Sequence, residues 1–127
     1  MSCYPLPLDV RALEGGKRWA LLQNFAYQSD KYKRTITAKT GFEFDFASIP
    51  RWLWRLLGSP ATGLHRRGAV IHDWLYKHGA ELGISRKEAD GIFYEAMICS
   101  GVNAVKAWLM YRGVRMFGNS SYNDLDN

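Results

Sequence analysis

The sequence predicts a single α+β domain in which a small antiparallel sheet precedes three or four helices. The first third of the chain contains short apolar or alternating segments separated by polar turns, which is typical of strands. From Ser48 onward, capping residues and glycines instead bracket segments of helical length. Strands that are followed by helices, without alternation, favour an α+β protein over an α/β protein.

Three extended segments make up the predicted sheet. Residues 19–27 are rich in apolar and aromatic side chains, and residues 34–39 alternate, so the polar segment 28–33 is expected to join them as a hairpin. The third segment, residues 42–46, places phenylalanines on one face and carboxylates on the other. Residues 1–16 are mixed in character and end in a Gly-Gly turn signal.

The first two predicted helices follow Ser48. Ser48 is expected to be the N-cap of a short helix over Arg51–Leu57, with Pro50 tolerated in its first turn and a Gly-Ser-Pro sequence after its end. The second helix, within residues 64–78, contains no breaker except Gly68 and is expected to end at Gly79.

Two more helices complete the predicted domain. Ser85 and Glu88 form a capping box, which predicts a helix that extends to about residue 100. A last helix is expected over residues 102–117, where Val105, Trp108, Leu109 and Arg112 recur at helical spacing. Residues 1–118 are therefore predicted to be one α+β domain, and residues 119–127 a polar, frayed tail.

Length and composition limit the possible function classes. At 127 residues the chain has room for one hydrophobic core, and its 47% hydrophobic content is that of a folded protein. The net charge of +5 suits a partner with phosphate or acidic groups, but the basic residues are scattered and form no specific nucleic-acid motif. No segment approaches the roughly 18 apolar residues of a transmembrane helix.

The cysteines and the N-terminus bear on the cellular compartment. Cys3 and Cys99 are expected to be free thiols, because a small secreted scaffold usually has more cysteines at closer spacing. The N-terminus has no basic segment followed by an apolar run, so no signal peptide is predicted. These features predict a soluble protein of the cytoplasm, unless it is assembled into a particle.

The segment around His72 is the strongest candidate for chemistry. Ala69, His72, Asp73 and Tyr76 are spaced at i, i+3, i+4 and i+7, so they share one face of the predicted helix. Asp90 lies early on the next helix, and the short connection predicts that the two helices are antiparallel neighbours. An imidazole held by a carboxylate from a facing helix is the arrangement that a general base requires.

The same spacing also has a structural interpretation. Packed helices often bury a His–Asp pair without any catalytic role, and Tyr76 would then be a core residue with a hydrogen-bonded hydroxyl. Residue spacing alone leaves both alternatives open.

Four motifs, in order, resemble an uncharacterised family of bacteriophage and prophage proteins. They are Asp-Phe-Ala-Ser-Ile-Pro-Arg from Asp45, His-Asp-x-x-Tyr from His72, Ala-Asp-x-x-Phe from Ala89 and Arg-x-Phe-Gly from Arg115. The resemblance covers most of residues 19–118. It implies a phage setting, with location in the host cytoplasm or the virion and phage structural proteins as partners, but no particular chemistry.

Residues 67–97 also resemble the catalytic helix pair of secreted phospholipase A2, particularly its bacterial members. That family has His-Asp-x-x-Tyr on one helix and an Asp followed by Phe-Tyr-Glu on the other. The first motif matches residues 72–76 of this chain, and the second matches Asp90 followed by residues 93–95. The resemblance implies that His72 activates a water, that Asp90 orients His72 and that Tyr76 hydrogen-bonds Asp90. It also implies a calcium ion ligated by Asp73, and a phospholipid substrate. The chain departs from that family in having no recognisable calcium loop and no disulfide framework.

The loop that precedes the first helix has a local and a functional interpretation. Locally, Ser48 caps the helix and Asp45 turns the chain. Functionally, the loop with Ser48 and Arg51 would lie beside His72, where Asp45 would be a further metal ligand or hydrogen-bond partner. A Ser48 nucleophile is disfavoured, because no nucleophile-elbow sequence surrounds it.

Two further features have alternatives of their own. A metal set of His65, His72, Asp73 and Asp90, as in a metal-dependent phosphohydrolase, is disfavoured because such histidines normally come from separate helices. The apolar helix Arg51–Leu57 favours core packing, with an interface or a membrane-contacting patch as the alternative.

Three function classes follow from these patterns. The first is a phage-encoded protein with a hydrolase-like His/Asp centre that directs calcium-assisted attack of water on an ester. The second is a virion component, such as a tail or neck protein, that keeps the helix pair as a scaffold. The third is a small phage effector that binds a host protein or a nucleotide.

Overall fold

The computed structural model describes residues 3–13, 15, 18–46, 49–57, 64–119 and 122, without the side chains of residues 56 and 57. In this part of the chain, short strands precede the α-helices, which confirms the predicted α+β class. The strands are β1 (Val10–Leu13), β2 (Arg18–Leu21), β3 (Phe25–Ser29), β4 (Arg34–Ala38) and β5 (Glu43–Phe44). The helices are α1 (Arg51–Leu57), α2 (Arg66–His78), α3 (Arg86–Cys99) and α4 (Ala104–Phe117).

The strands form two antiparallel sheets where one was predicted. One sheet has the order β1-β2-β5, and the other is the β3-β4 hairpin. The predicted strand over residues 19–27 is therefore divided, and its halves belong to different sheets. Long-range hydrogen bonds hold the break: the Leu22 backbone N donates to Asp9 O at 2.8 Å, and the Thr40 backbone N donates to Asn24 Oδ1 at 2.8 Å.

The helices lie close to their predicted positions. The bounds of α1 are those expected, and the capping box is formed, with the Glu88 backbone N donating to Ser85 Oγ at 3.1 Å. A 3-10 turn over Ala80–Leu82 lies in the connection between α2 and α3. Asn103, which the sequence interpretation overlooked, caps α4 by accepting from the Val105 backbone N at 2.8 Å.

Helix α2 is the centre of the molecule, in contact with β4, β5 and α3. Its buried residues run without interruption from Gly68 to Asp73 and include Leu75 and Tyr76. The predicted phenylalanine face of residues 42–46 is confirmed, because its three rings are buried while Glu43 and Asp45 are exposed. Within the described part of the chain, no helix is long and apolar enough to cross a membrane.

The two ends of the described chain are attached to the helices. Cys3 and Cys99 form a disulfide with their Cα atoms 6.6 Å apart, so the prediction of free thiols is wrong for this structure. Tyr122 donates from its hydroxyl to Ile84 O at 2.5 Å, and its ring packs against Tyr76. The prediction of a frayed tail is therefore wrong for Tyr122, and residues 120–121 and 123–127 lie outside the described residues.

Candidate functional site

Close packing of α2 on α3 positions the candidate site. A Cβ placed on Gly68 would lie 3.4 Å from Ala96 Cβ, at the far end of α3 from Asp90. His72, one turn later on α2, faces Asp90 near the start of α3. The two helices therefore run antiparallel, as the sequence predicted.

The predicted contacts of Asp90 are present. His72 Nε2 lies 2.7 Å from Asp90 Oδ1, and the Tyr76 hydroxyl donates to the same oxygen at 2.6 Å. Both distances are within the reach expected of a base and its positioning carboxylate. The geometric prediction is confirmed, while the catalytic roles of these residues stay predictions.

The second oxygen of Asp90 has arginine partners that the sequence interpretation did not include in the site. Arg115 Nη1, from α4, donates to Asp90 Oδ2 at 2.8 Å, and Arg86 Nη1 lies 3.7 Å from the same atom. Arg86 also donates to the carbonyls of Val114 and Arg115, which holds the end of α4 against α3. Two sequence signals were available for them: Arg115 begins the fourth motif, and Arg86 lies four positions before Asp90.

These contacts set the ionisation of the site. Burial alone would raise the pKa of Asp90, but the hydrogen bonds from His72, Tyr76 and Arg115 outweigh it and hold that pKa below its ordinary value. The pKa of Tyr76 is raised above its ordinary value, mainly by burial and secondly by the negative charge of Asp90. Asp90 is thus a carboxylate at neutral pH, and Tyr76 is a neutral hydrogen-bond donor.

The site lies in the interior of the molecule. His72 and Asp90 are fully buried, and the Tyr76 and Phe93 rings lie 4.1 Å and 4.6 Å from the His72 ring. Such burial is what the structural interpretation expects, in which packed helices enclose a His–Asp pair. The polar face of α2 is therefore buried, as are the apolar residues Ile71 and Leu75 on the adjoining face.

Asp73 connects α2 to the chain that follows β5. Its Oδ2 accepts from the Phe46 backbone N at 2.8 Å, and Phe46 has a φ of 61°, in the left-handed region. Asp45, one residue earlier, is exposed, whereas the Phe46 ring is buried. This contact brings the predicted loop to the helix that carries His72.

The described residues contain no cluster of acidic side chains at the calcium site that the phospholipase resemblance implies. Calcium takes six to eight oxygen ligands in proteins. Among the described residues, no group of three or more His, Cys, Asp or Glu side chains could hold a metal ion, and Asp73 is 2% exposed. The alternative metal set of His65, His72, Asp73 and Asp90 is likewise absent from the groups that could hold an ion among the described residues. Calcium ligation by Asp73 and Asp45 stays a prediction, and no catalytic step below depends on it.

The remaining predicted site residues have contacts elsewhere or lie outside the described chain. Arg51 begins α1, is exposed, and has its guanidinium 5.7 Å from the centre of the Trp54 ring. Ser48 lies outside the described residues. His65 is buried at the N-terminal boundary of α2, where its carbonyl accepts from the Ala69 backbone N.

Comparison with known proteins identifies a family but no activity. Residues 19–114 match the model of a family described as a protein of unknown function, DUF1353. Two curated relatives come from Sinorhizobium fredii (strain NBRC 101917 / NGR234). The uncharacterized protein y4iH is 34% identical over 97 residues, which are 76% of this chain and 36% of the relative. The uncharacterized protein y4jT is 33% identical over 79 residues, which are 62% of this chain and 23% of the relative.

This chain therefore spans well under half the length of either curated relative. No solved structure matches it. The prediction of an uncharacterised family is confirmed, while the phage setting and the phospholipase likeness stay predictions.

Proposed function

The chain belongs to the DUF1353 family, and we propose that it is a hydrolase in which His72 is the general base and Asp90 positions it. The observation that supports the proposal is the 2.7 Å contact between His72 Nε2 and Asp90 Oδ1. A carboxylate in this place fixes the orientation of the ring and stabilises the imidazolium that forms during catalysis. Because Nε2 faces Asp90, proton transfer falls to Nδ1.

The proposed reaction is the hydrolysis of an ester. The attacking water gives a proton to His72 Nδ1 while its oxygen bonds to the carbonyl carbon, and the imidazolium then returns that proton to the departing alkoxide. Tyr76 holds Asp90 from the side, and Arg115 balances its charge from α4. A phospholipid ester is the substrate class suggested by the partial likeness to phospholipase A2.

Substrate access requires a movement, because His72 is fully buried. The chain at Phe46 is the proposed moving part, because its backbone N donates to Asp73 Oδ2 on α2, one position after His72. Phe46 also lines a cavity of about 40 Å³ with Trp19, Phe44 and Val70, which gives the ring room to shift. Lids of this kind exclude bulk solvent while the substrate and the attacking water react.

A scaffold role is the second candidate, and the complete burial of His72 and Asp90 favours it. A buried carboxylate with hydrogen bonds on both oxygens holds three helices together without any turnover. The protein would then be a virion component or an effector that presents another surface to its partner.

His72→Gln separates the two candidates, with His78→Gln as the matched control because the His78 side chain is 37% exposed. For a hydrolase, the wild type cleaves members of an ester panel that includes phospholipids, and His72→Gln lowers kcat by about 10²–10⁴-fold. The folded state of the variant persists, and His78→Gln matches the wild type. Assays with calcium and with chelator test the implied ion.

Two results would count against the hydrolase. One is activity in His72→Gln equal to that of the wild type. The other is no turnover by the wild type on any substrate, together with a loss of about 2–4 kcal/mol of unfolding free energy in His72→Gln, as expected when a buried carboxylate loses one of its hydrogen-bond partners.

A further inference from the structure

The outer face of α4 is apolar although it is not packed. Val105, Trp108, Leu109 and Met116 lie on this face and are 66%, 51%, 41% and 63% exposed. The opposite face of the helix is buried through Ala107, Met110, Gly113 and Val114. The helical spacing of Val105, Trp108 and Leu109 in the sequence thus belongs to an exposed apolar face, not to the core.

Helix α1 extends this surface. Leu53 of α1 is buried and lies against Gly113 of α4. Beside it, the exposed rings of Trp52 and Phe117 pack edge to face with their centres 5.5 Å apart. We call the resulting surface the α1–α4 face, defined by Trp52, Val105, Trp108, Leu109, Met116 and Phe117.

The charged residues within and around the α1–α4 face are cationic. Arg112 lies on the same side of α4, with its guanidinium 5.7 Å from the centre of the Trp108 ring. Lys106, Arg51 and Arg55 are exposed on the same two helices. The sequence has no Asp or Glu from residue 46 to residue 72, or from residue 96 to residue 123, so both helices and their flanks lack carboxylates.

We propose that the α1–α4 face binds the surface of an anionic lipid bilayer. Tryptophan and long apolar side chains partition into the boundary between headgroups and acyl chains, while Arg and Lys bind the lipid phosphates. Each cation near an anionic membrane surface contributes about 1 kcal/mol. The lipid here is a docking surface and not the substrate, so the proposal does not rest on hydrolysis at His72.

Charge and chemistry disfavour the other occupants. A second copy of the chain would bring cations against cations. Single-stranded nucleic acid binds through cations and stacking aromatic rings. It would leave Val105, Leu109 and Met116, which are aliphatic and exposed, without a comparable contact.

Vesicle sedimentation of the full chain tests the proposal. We expect binding to vesicles of phosphatidylcholine mixed with phosphatidylglycerol, weaker binding to phosphatidylcholine alone, and weaker binding in high salt. Trp108→Ser should lower the partition coefficient about tenfold or more, because it removes a large apolar side chain that the bilayer would bury. Arg112→Gln should lower it about fivefold, the equivalent of one cation.

Matched controls come from β1 and from the residue that follows β2. Leu22→Ser removes a side chain that is 47% exposed, and Arg11→Gln removes an exposed cation of β1. Neither should change vesicle binding, and unfolding curves establish that each variant is folded. If Trp108→Ser does not fold, Leu109→Ser replaces it.

Three outcomes would overturn the proposal. They are absence of binding to anionic vesicles, equal losses in Leu22→Ser and Trp108→Ser, and equal binding to both lipid compositions at every salt concentration. Binding of a single-stranded oligonucleotide that depends on Trp108 and Arg112, without vesicle binding, would assign the face to nucleic acid instead.

Discussion

At the scale of single residues, Asp90 shows what helical spacing predicts and what it does not. His72 and Tyr76 were predicted to meet Asp90 because both lie on one face of α2, and local periodicity alone determines that. The contact with Arg115 depends on how α4 packs against α3, which no local pattern specifies. Asp90 has four side-chain partners, and the sequence could predict two of them, His72 and Tyr76, but not the two arginines.

Asp90→Asn should weaken the fold, most clearly at neutral pH. The substitution keeps the volume but leaves the half-buried Arg115 beside a neutral amide, at a cost of about 2–4 kcal/mol. The folded-state pKa of Asp90 lies below its ordinary value. The charge therefore stabilises the fold above a pH of about 4 and ceases to do so as the pH falls through the folded pKa.

Urea unfolding from neutral pH down to about pH 2 measures this dependence. The wild type should lose more stability in acid than Asp90→Asn, so the two curves converge. Asp9→Asn, at an exposed carboxylate, should follow the wild type. Parallel curves for the wild type and Asp90→Asn would show that the Asp90 charge does not support the fold.

At the scale of elements, the helices could be predicted and the sheet pairing could not. Helix α3 begins where its capping box predicts, because Ser85 and Glu88 act within a single turn. The division of residues 19–27 between two sheets is held by Asp9 and Thr40, which are distant in sequence. Strand β1 was missed for the same reason, since its partner β2 and not its own pattern defines it.

Two helical glycines should respond to alanine with opposite signs. A Cβ on Gly113 would overlap Leu53, which is buried between α1 and α4, so Gly113→Ala should destabilise by about 1–3 kcal/mol through overpacking. A Cβ on Gly68 would make only ordinary contacts with α3. Gly68→Ala should therefore stabilise by up to about 1 kcal/mol through helix propensity.

Chemical denaturation of both variants gives the signs, and Leu53→Ala provides the control. In the Leu53→Ala background the overlap is relieved, so the penalty of Gly113→Ala should shrink or reverse. An unchanged penalty in that background would mean that α1 does not pack on Gly113.

At the scale of the whole molecule, both ends of the described chain are joined to the helix pair. Tyr4 donates to Ala96 O at 3.1 Å and accepts from Ser100 Oγ at 3.0 Å, which places Cys3 beside Cys99. Two cysteines so far apart in sequence gave no signal of pairing, because the docking of a terminal segment is a tertiary event. Disulfides persist in oxidising compartments and are reduced in the cytoplasm, so the state of this bond depends on where the protein resides.

Reduction of Cys3–Cys99 should therefore cost stability. The bond spans 96 positions, and closing a loop of about that length restricts the unfolded chain by about 4–5 kcal/mol in the chain-entropy model. Urea unfolding of the wild type should show a lower midpoint with reductant than without. The double variant Cys3→Ser, Cys99→Ser should match the reduced wild type and should not respond to reductant. If the oxidised and reduced proteins unfold at one midpoint while mass spectrometry confirms the bond in the oxidised sample, Tyr4 and its neighbours would suffice to hold the N-terminal segment on α3.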